Sequence, residues 1–364
     1  MEVLATNISQ NVSDPTSHDK PAGMERKFYL DLLKVIAISA VVMIHACAEY
    51  VDHPSNFMDF TIGNICDSIS RLGVPLFLMI SGALILDENR KYNCKKRIRS
   101  VLLPWLTWSF LYALSFQVIW PLLKDEAVSL SGFVAGLVKG HFHLWYMWAI
   151  TGMYLITPIL RTFVKKENKH IVAYFILLSL VFQFTRPIIA LLFEEISFAS
   201  ELEGAYAYIF ESLNVDFFGG LTTYFLAGWY LANIDLKKST VTVLYILGAS
   251  SVTCIIAVTQ MLPDHYALLY SYEGVFVFLY SVAVFLLVKR LCVNCKSSNR
   301  FVIGLSNLSF GVYLIHMFAQ MLVEYVLPKH PLWIPVIFLA TMSISVVASY
   351  VISKIPVVKK IIRA

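Results

Sequence analysis

The chain has 364 residues, of which 58% are hydrophobic and 15% charged, with a mean hydropathy of +0.69. Soluble domains carry about 25% charged residues, so lipid must be the solvent for much of this chain. That excludes a disordered chain, and six cysteines exclude a disulfide scaffold.

Residues 1–24 are polar, include two prolines, and contain no apolar run ahead of a cleavage site. They read as a disordered cytoplasmic tail, not a signal peptide. Residues 25–364 read as one membrane domain. A helix crossing the roughly 30 Å hydrocarbon core needs about 20 mostly apolar residues. Ten stretches meet that length: 28–48, 66–86, 101–123, 143–163, 171–192, 216–234, 240–262, 270–288, 302–326 and 333–353. His143, Asp216 and Glu273 lie at or near the starts of the fourth, sixth and eighth, which makes these the least apolar entries. The runs are continuous, whereas barrel strands would alternate over about ten residues. The expected fold is therefore an all-α polytopic membrane protein of about ten transmembrane helices.

An even number of spans puts both termini on one side. On that side fall 23 of the 29 Lys and Arg residues, in the two termini and in loops 87–100, 161–169, 235–239 and 289–300. The opposite side holds only Lys124, Lys139 and Lys329. This bias predicts cytoplasmic termini and assigns the net charge of +5 to membrane orientation rather than to nucleic acid. The remaining gap at 193–215 is too short for a soluble domain.

Ionisable residues inside a span are costly and point to function. Span 1 carries Asp31, Lys34 and His45. Eleven residues make three helical turns plus about 20°, so Lys34 and His45 share one face about 16 Å apart. Lys34 either snorkels to the interface or holds a ligand there; His45 is either a packing histidine or a reactive one. Arg71, His143, Arg186 and His316 lie toward the outer ends of their spans and, with His45, could surround one cavity. Arg71, Arg186 and His143 also fit interface anchors, and Trp145 and Tyr146 fit an aromatic belt. Loop 87–100 reads as ordinary positive-inside charge or as a phosphate-binding patch of Lys96, Arg97 and Arg99.

Other chemistry is absent or weak. No GxxxxGK[ST] or GxGxxG loop is present. Cys292 and Cys295 form one CxxC pair with no second pair to complete a zinc site, so no metal is expected. Cys47 and Cys66 bracket the first outer loop and could pair in an oxidising compartment. His141 and His143, two residues apart, do not share a helical face.

The segments RKFYLDLLKVIAISAVVMIHA, LGVPLFLMISGALIL, KKRIRSVLLPW, HLWYMWAITGMYLITP, FLAGWYLA, LSFGVYLIHMF and IPVVKKII occur in that order. Over residues 26–362 the chain resembles the integral-membrane acyltransferase family three, which O-acylates bacterial surface glycans. The resemblance is to the family's ten-helix form, similar to the enterobacterial common antigen O-acetyltransferase. It implies a bacterial cytoplasmic-membrane enzyme that uses acyl-CoA, usually acetyl-CoA, as co-substrate and a glycan or lipid-linked saccharide hydroxyl as acceptor. The family's basic residue, ten intervening residues and essential histidine fall on Lys34 and His45. Lysine here replaces the usual arginine and loses its bidentate fork. The basic motif before Pro104 is looser than the usual arginine pair and leaves Arg97 and Arg99 as donor-binding candidates.

On this reading phosphates held near Lys34 would place a thioester beside His45, since a phosphopantetheine arm is roughly as long as the 16 Å rise. His45 would be the general base. Glu49 either orients its ring or is a solvated carboxylate. Arg71, His143 or His316 would supply oxyanion donors, and Trp145 and Arg186 complete the acceptor-side set. The rival reading is a secondary transporter or flippase of a glycan-type substrate, which also needs buried charge among about ten helices.

Overall fold

Backbone amides in lipid must be satisfied within the chain, which limits spanning structures to helices or closed barrels. The computed structural model describes residues 26–195, 200–213, 219–292, 299–356 and 358–362, and among them there are helices and no strands. The expected tail at 1–24 and Cys295 lie outside these residues. In chain order the helices are α1 (Phe28–Asp52), α2 (Phe57–Ser70), α3 (Gly73–Ile85), α4 (Cys94–Leu114), α5 (Trp120–Leu123), α6 (Leu130–Lys139), α7 (Trp145–Phe163) and α8 (Lys169–Phe182). There follow α9 (Arg186–Glu195), α10 (Ser200–Leu213), α11 (Leu221–Asn233), α12 (Lys238–Met261), α13 (Tyr266–Leu269), α14 (Val275–Leu291), α15 (Arg300–Val326) and α16 (Ile334–Lys354).

Seven segments among the described residues are long and apolar enough to cross a membrane: Phe28–Asp52, Phe57–Ile85, Cys94–Leu123, Lys166–Glu194, Lys238–Met261, Arg300–Val326 and Pro331–Lys354. The protein is an all-α polytopic membrane protein. The fourth, sixth and eighth expected spans are also helical, as α7, α11 and α14, but they fall short in length or apolarity. Those are the three whose starts carry His143, Asp216 and Glu273. The second span begins earlier than its apolar run, at Phe57, where the Asn56 side chain accepts from the Asp59 amide and caps α2. Its first half carries Asp59, Asn64 and Asp67, all buried. Three helices, α6, α10 and the short α13, occupy stretches where no span was expected.

α11 sits in the middle of the bundle, with Tyr224, Phe225, Leu226 and Ala227 all buried around its circumference. It crosses α3 at backbone contact: a Cβ on Gly82 would stand 1.8 Å from the Phe225 carbonyl oxygen, and one on Gly228 1.9 Å from that of Met79. Small residues allow this approach, and packing replaces the hydrophobic drive that lipid cannot supply. α16 lies along α15 through buried Thr341, Ser345 and Ser349, spaced one turn apart. Cys47 and Cys66 are free thiols.

α1 runs unbroken between two polar regions. Near its start, buried Asp31 accepts from Arg26 Nε at 2.6 Å and Nη2 at 2.7 Å, and from Ser306 Oγ at 2.6 Å, tying α1 to α15. The hydrogen bond that Arg26 donates to Asp31 holds its guanidinium above the ordinary pKa. Asp31 is thus a structural tie and is committed before any ligand arrives.

Candidate active site: histidines around the far end of α1

Four histidines from three segments meet near the second half of α1. His45 is half-buried on α1. Its ring centroid is 5.1 Å from that of His316 on α15 and 6.5 Å from that of His143, which precedes α7. His143 and His316 are buried, their rings 5.1 Å apart and perpendicular. His141 joins them through its Nδ1, 2.8 Å from His143 Nδ1.

The local sequence explains how His141 arrives. Gly140 ends α6 with φ +74°, a conformation that L side chains rarely adopt, and a Cβ there would also meet Ser109 Oγ at 3.0 Å. The turn swings the chain into a short 3-10 segment, Phe142–Leu144, ahead of α7. Helical spacing therefore does not apply to residues 141 and 143, and both rings point into one cluster. His141 lies against the Tyr112 ring (4.6 Å, 25°) and the Phe116 ring (4.9 Å, 29°). Phe116 belongs to a π-helical turn, Ser115–Ile119, that continues α4, a local irregularity frequent at functional sites.

α15 supplies the floor. Tyr313, His316 and Gln320, at i, i+3 and i+7, lie on one face. Tyr313 donates its hydroxyl to the His143 carbonyl at 2.6 Å, and Gln320 Nε2 donates to the His45 carbonyl at 2.8 Å. His316 Nδ1 lies 2.6 Å from the Tyr313 carbonyl. A carbonyl only accepts, so the Nδ1 proton is committed there and neutral His316 carries its lone pair on Nε2. Among the described residues, the Nε2 atoms of His143 and His316 are both buried without a hydrogen-bond partner. Buried polar groups are ordinarily paired, so two such nitrogens beside a half-buried imidazole mark this as a polar site.

Arg71 occupies the break between α2 and α3, forms an ion pair with buried Asp67, and stands 4.3 Å over the Tyr270 ring. Its charge acts on His45 and on Tyr272, on which Trp145 stacks at 5.8 Å. Arg71, Trp145, Tyr270 and Tyr272 therefore form a wall beside the histidines. Arg186 lies elsewhere: its guanidinium is 5.3 Å from the Phe210 ring of α10 and acts electrostatically on Tyr206 of the same helix. Glu49 pairs with Lys329 at 2.9 Å and is more than half exposed. That makes it the solvated carboxylate of the two alternatives. No group of three or more His, Cys, Asp or Glu among the described residues is arranged to hold a metal.

At the other end of α1, Lys34 is half-buried and makes no hydrogen bond or salt bridge among the described residues. It interacts electrostatically with Asp31, Arg26, Arg97 and Arg90. Arg97 and Arg99 are both exposed near the start of α4, but two residues turn a helix by about 200°. Only Arg97 acts on Lys34 and on Tyr154 of α7. Arg161 of α7 clamps the loop before α4, donating to the carbonyls of Ile85 (2.6 Å), Asp87 (3.0 Å) and Arg90 (2.7 Å). Between Lys34 and His45, Ile38 and Val41 lie on the same face and are buried.

An all-α membrane bundle with cations at one end of a helix and converging histidines at the other is the class of molecule that these features define. A family model described as an acyltransferase domain, Acyl_transf_3, matches residues 27–354. The chain belongs to that acyltransferase family, which favours a transferase over a transporter. No curated protein and no solved structure matches it.

Proposed function

We propose that this protein is an O-acyltransferase of the bacterial cytoplasmic membrane, moving an acyl group, in the first instance acetyl, from cytosolic acyl-CoA to a hydroxyl of a cell-surface or lipid-linked glycan. The observation that carries this reading is α1 itself: one unbroken helix joins a cation-rich end at Lys34 to the histidine cluster at His45. Asp31 is already bound by Arg26 and Ser306, and Asp87 pairs with Arg90 at 3.7 Å, which leaves Lys34 and Arg97 as the surplus cations. Such a surplus suits a polyanion such as the phosphates of CoA.

The reaction balances with the groups present. The acceptor hydroxyl attacks the thioester carbonyl while His45 takes its proton; the C–S bond then breaks, and the CoA thiolate recovers that proton to leave as a thiol. The oxyanion formed in between needs N–H donors. On this reading Arg71 and His143 supply them, whereas neutral His316, with its proton committed to Tyr313, offers a lone pair. The packed side chains of Ile38 and Val41 must yield or be skirted for a donor arm to run from Lys34 to His45. Charge bias places both termini and loop 87–100 in the cytoplasm.

Mass spectrometry of surface glycans from cells with and without the gene tests the reading. Signals separated by the mass of one acetyl group should disappear on deletion and return with the wild-type gene. Unchanged glycan masses would overturn it.

A further inference from the structure

We propose that His141 is a positioning residue: its Nδ1–H donates to His143 Nδ1 and so fixes the His143 proton on Nε2, aimed at the site as a hydrogen-bond donor. The proposal rests on the acyltransferase reading for the donor's use on an oxyanion, but the tautomer assignment stands on geometry alone. The two Nδ1 atoms are 2.8 Å apart, so one ring must present a proton there and the other a lone pair.

Three observations choose the direction. His316 Nε2 is already a buried lone pair, because its Nδ1 proton goes to the Tyr313 carbonyl. A His143 proton on Nδ1 would put a second orphaned lone pair into the same dry pocket, where the rings are 5.1 Å apart. A proton on Nε2 gives the pocket one donor and one acceptor. His141 is half-buried, whereas His143 is 2% exposed, so the less enclosed ring is the one left with a lone pair on its outer nitrogen. Finally, the Tyr112 and Phe116 rings hold the His141 plane, and the positive-φ turn at Gly140 delivers it to that slot. His143 Nε2–H then faces the space beside His45 as a preorganised donor, in the role that an oxyanion demands.

The test uses isosteric replacements in the full-length protein. His141→Asn sets an amide where Nδ1 was and can donate to His143. His141→Asp has the same shape but, when ionised, only accepts. His141→Phe keeps the aromatic stack and removes the bond. In inside-out membrane vesicles supplied with radiolabelled acetyl-CoA, Phe and Asp should lower kcat about 10- to 10³-fold with the KM for acetyl-CoA unchanged, and Asn should restore activity toward wild type. Histidine 15N spectra of the purified protein give a readout independent of activity. The His143 signal, assigned by its loss in His143→Gln, should report protonation on Nε2 in wild type and on Nδ1 in His141→Asp. Wild-type protonation on Nδ1, or an Asp variant as active as Asn, would overturn the assignment. So would a Phe variant with wild-type kcat. Absence of acetyl transfer by wild type would instead count against the acyltransferase reading, and the spectra would still decide the tautomer.

Discussion

The two ends of α1 are built on opposite principles. Around His45, backbone and ring are tied by direct bonds: Tyr313 to the His143 carbonyl, Gln320 to the His45 carbonyl, and the His316 ring to the Tyr313 carbonyl. Around Lys34 the cations are only partly paired, Arg26 with Asp31 and Arg90 with Asp87, under a loop that Arg161 clamps from behind. On the proposed function, the first arrangement would stabilise a charge that exists only briefly, which requires groups fixed in advance. The second would serve a charge that arrives with its ligand, for which net field matters more than aim. Both sit on one helix, so each can be damaged while the other stays intact.

The largest effect should come from the histidine end. His45→Ala should cost about 10² to 10⁴ in turnover while membrane abundance and acetyl-CoA binding stay near wild type, measured by vesicle assay and by calorimetry on purified protein. At the cation end the loss should appear in donor affinity. A charge-assisted bond contributes about 1.5 to 3 kcal/mol, so Lys34→Met should weaken acetyl-CoA binding about 10- to 150-fold, and Lys34→Arg should preserve it. If Met binds the donor as wild type does, Lys34 only marks the membrane edge.

Smaller contrasts sharpen the comparison. Arg97→Gln should weaken donor affinity about tenfold, as expected for one exposed charge-assisted contact, whereas Arg99→Gln, on the other side of α4, should leave it unchanged. Equal effects would mean that the loop acts as diffuse charge only. Smallest of all, Glu49→Gln should alter turnover less than about twofold, because its exposed pair with Lys329 falls in the range of about 0–1 kcal/mol. A loss comparable to that of His45→Ala would restore Glu49 as a partner of the imidazole.

Much of this was legible in sequence, because long apolar runs and an eleven-residue interval on a helix depend only on local geometry. The face shared by Lys34 and His45 needed no tertiary information, and the ordered motifs pointed to the family that the chain belongs to. Long-range pairings were hidden. Asp59, Asn64 and Asp67 look too polar for a span until Gln260, Tyr270 and Arg71 are seen close around them. His141 was set aside by helical spacing, a rule that the turn at Gly140 suspends. Tyr112 gave no signal at all, since its stacking partners, Phe318 and His141, come from distant segments. Tyr313 and Gln320 left a weak one, as polar residues in register with His316 within an apolar run.

On the proposed mechanism, a donor held at the Lys34 end of α1 delivers its acyl group to an acceptor at the His45 end. Vesicles of both orientations, prepared from cells expressing wild type or His45→Ala and given radiolabelled acetyl-CoA outside, test it most directly. Label should enter the glycan fraction only in inside-out wild-type vesicles, where loop 87–100 meets the added donor. Equal incorporation in right-side-out vesicles, or by His45→Ala protein of normal abundance, would contradict the claim.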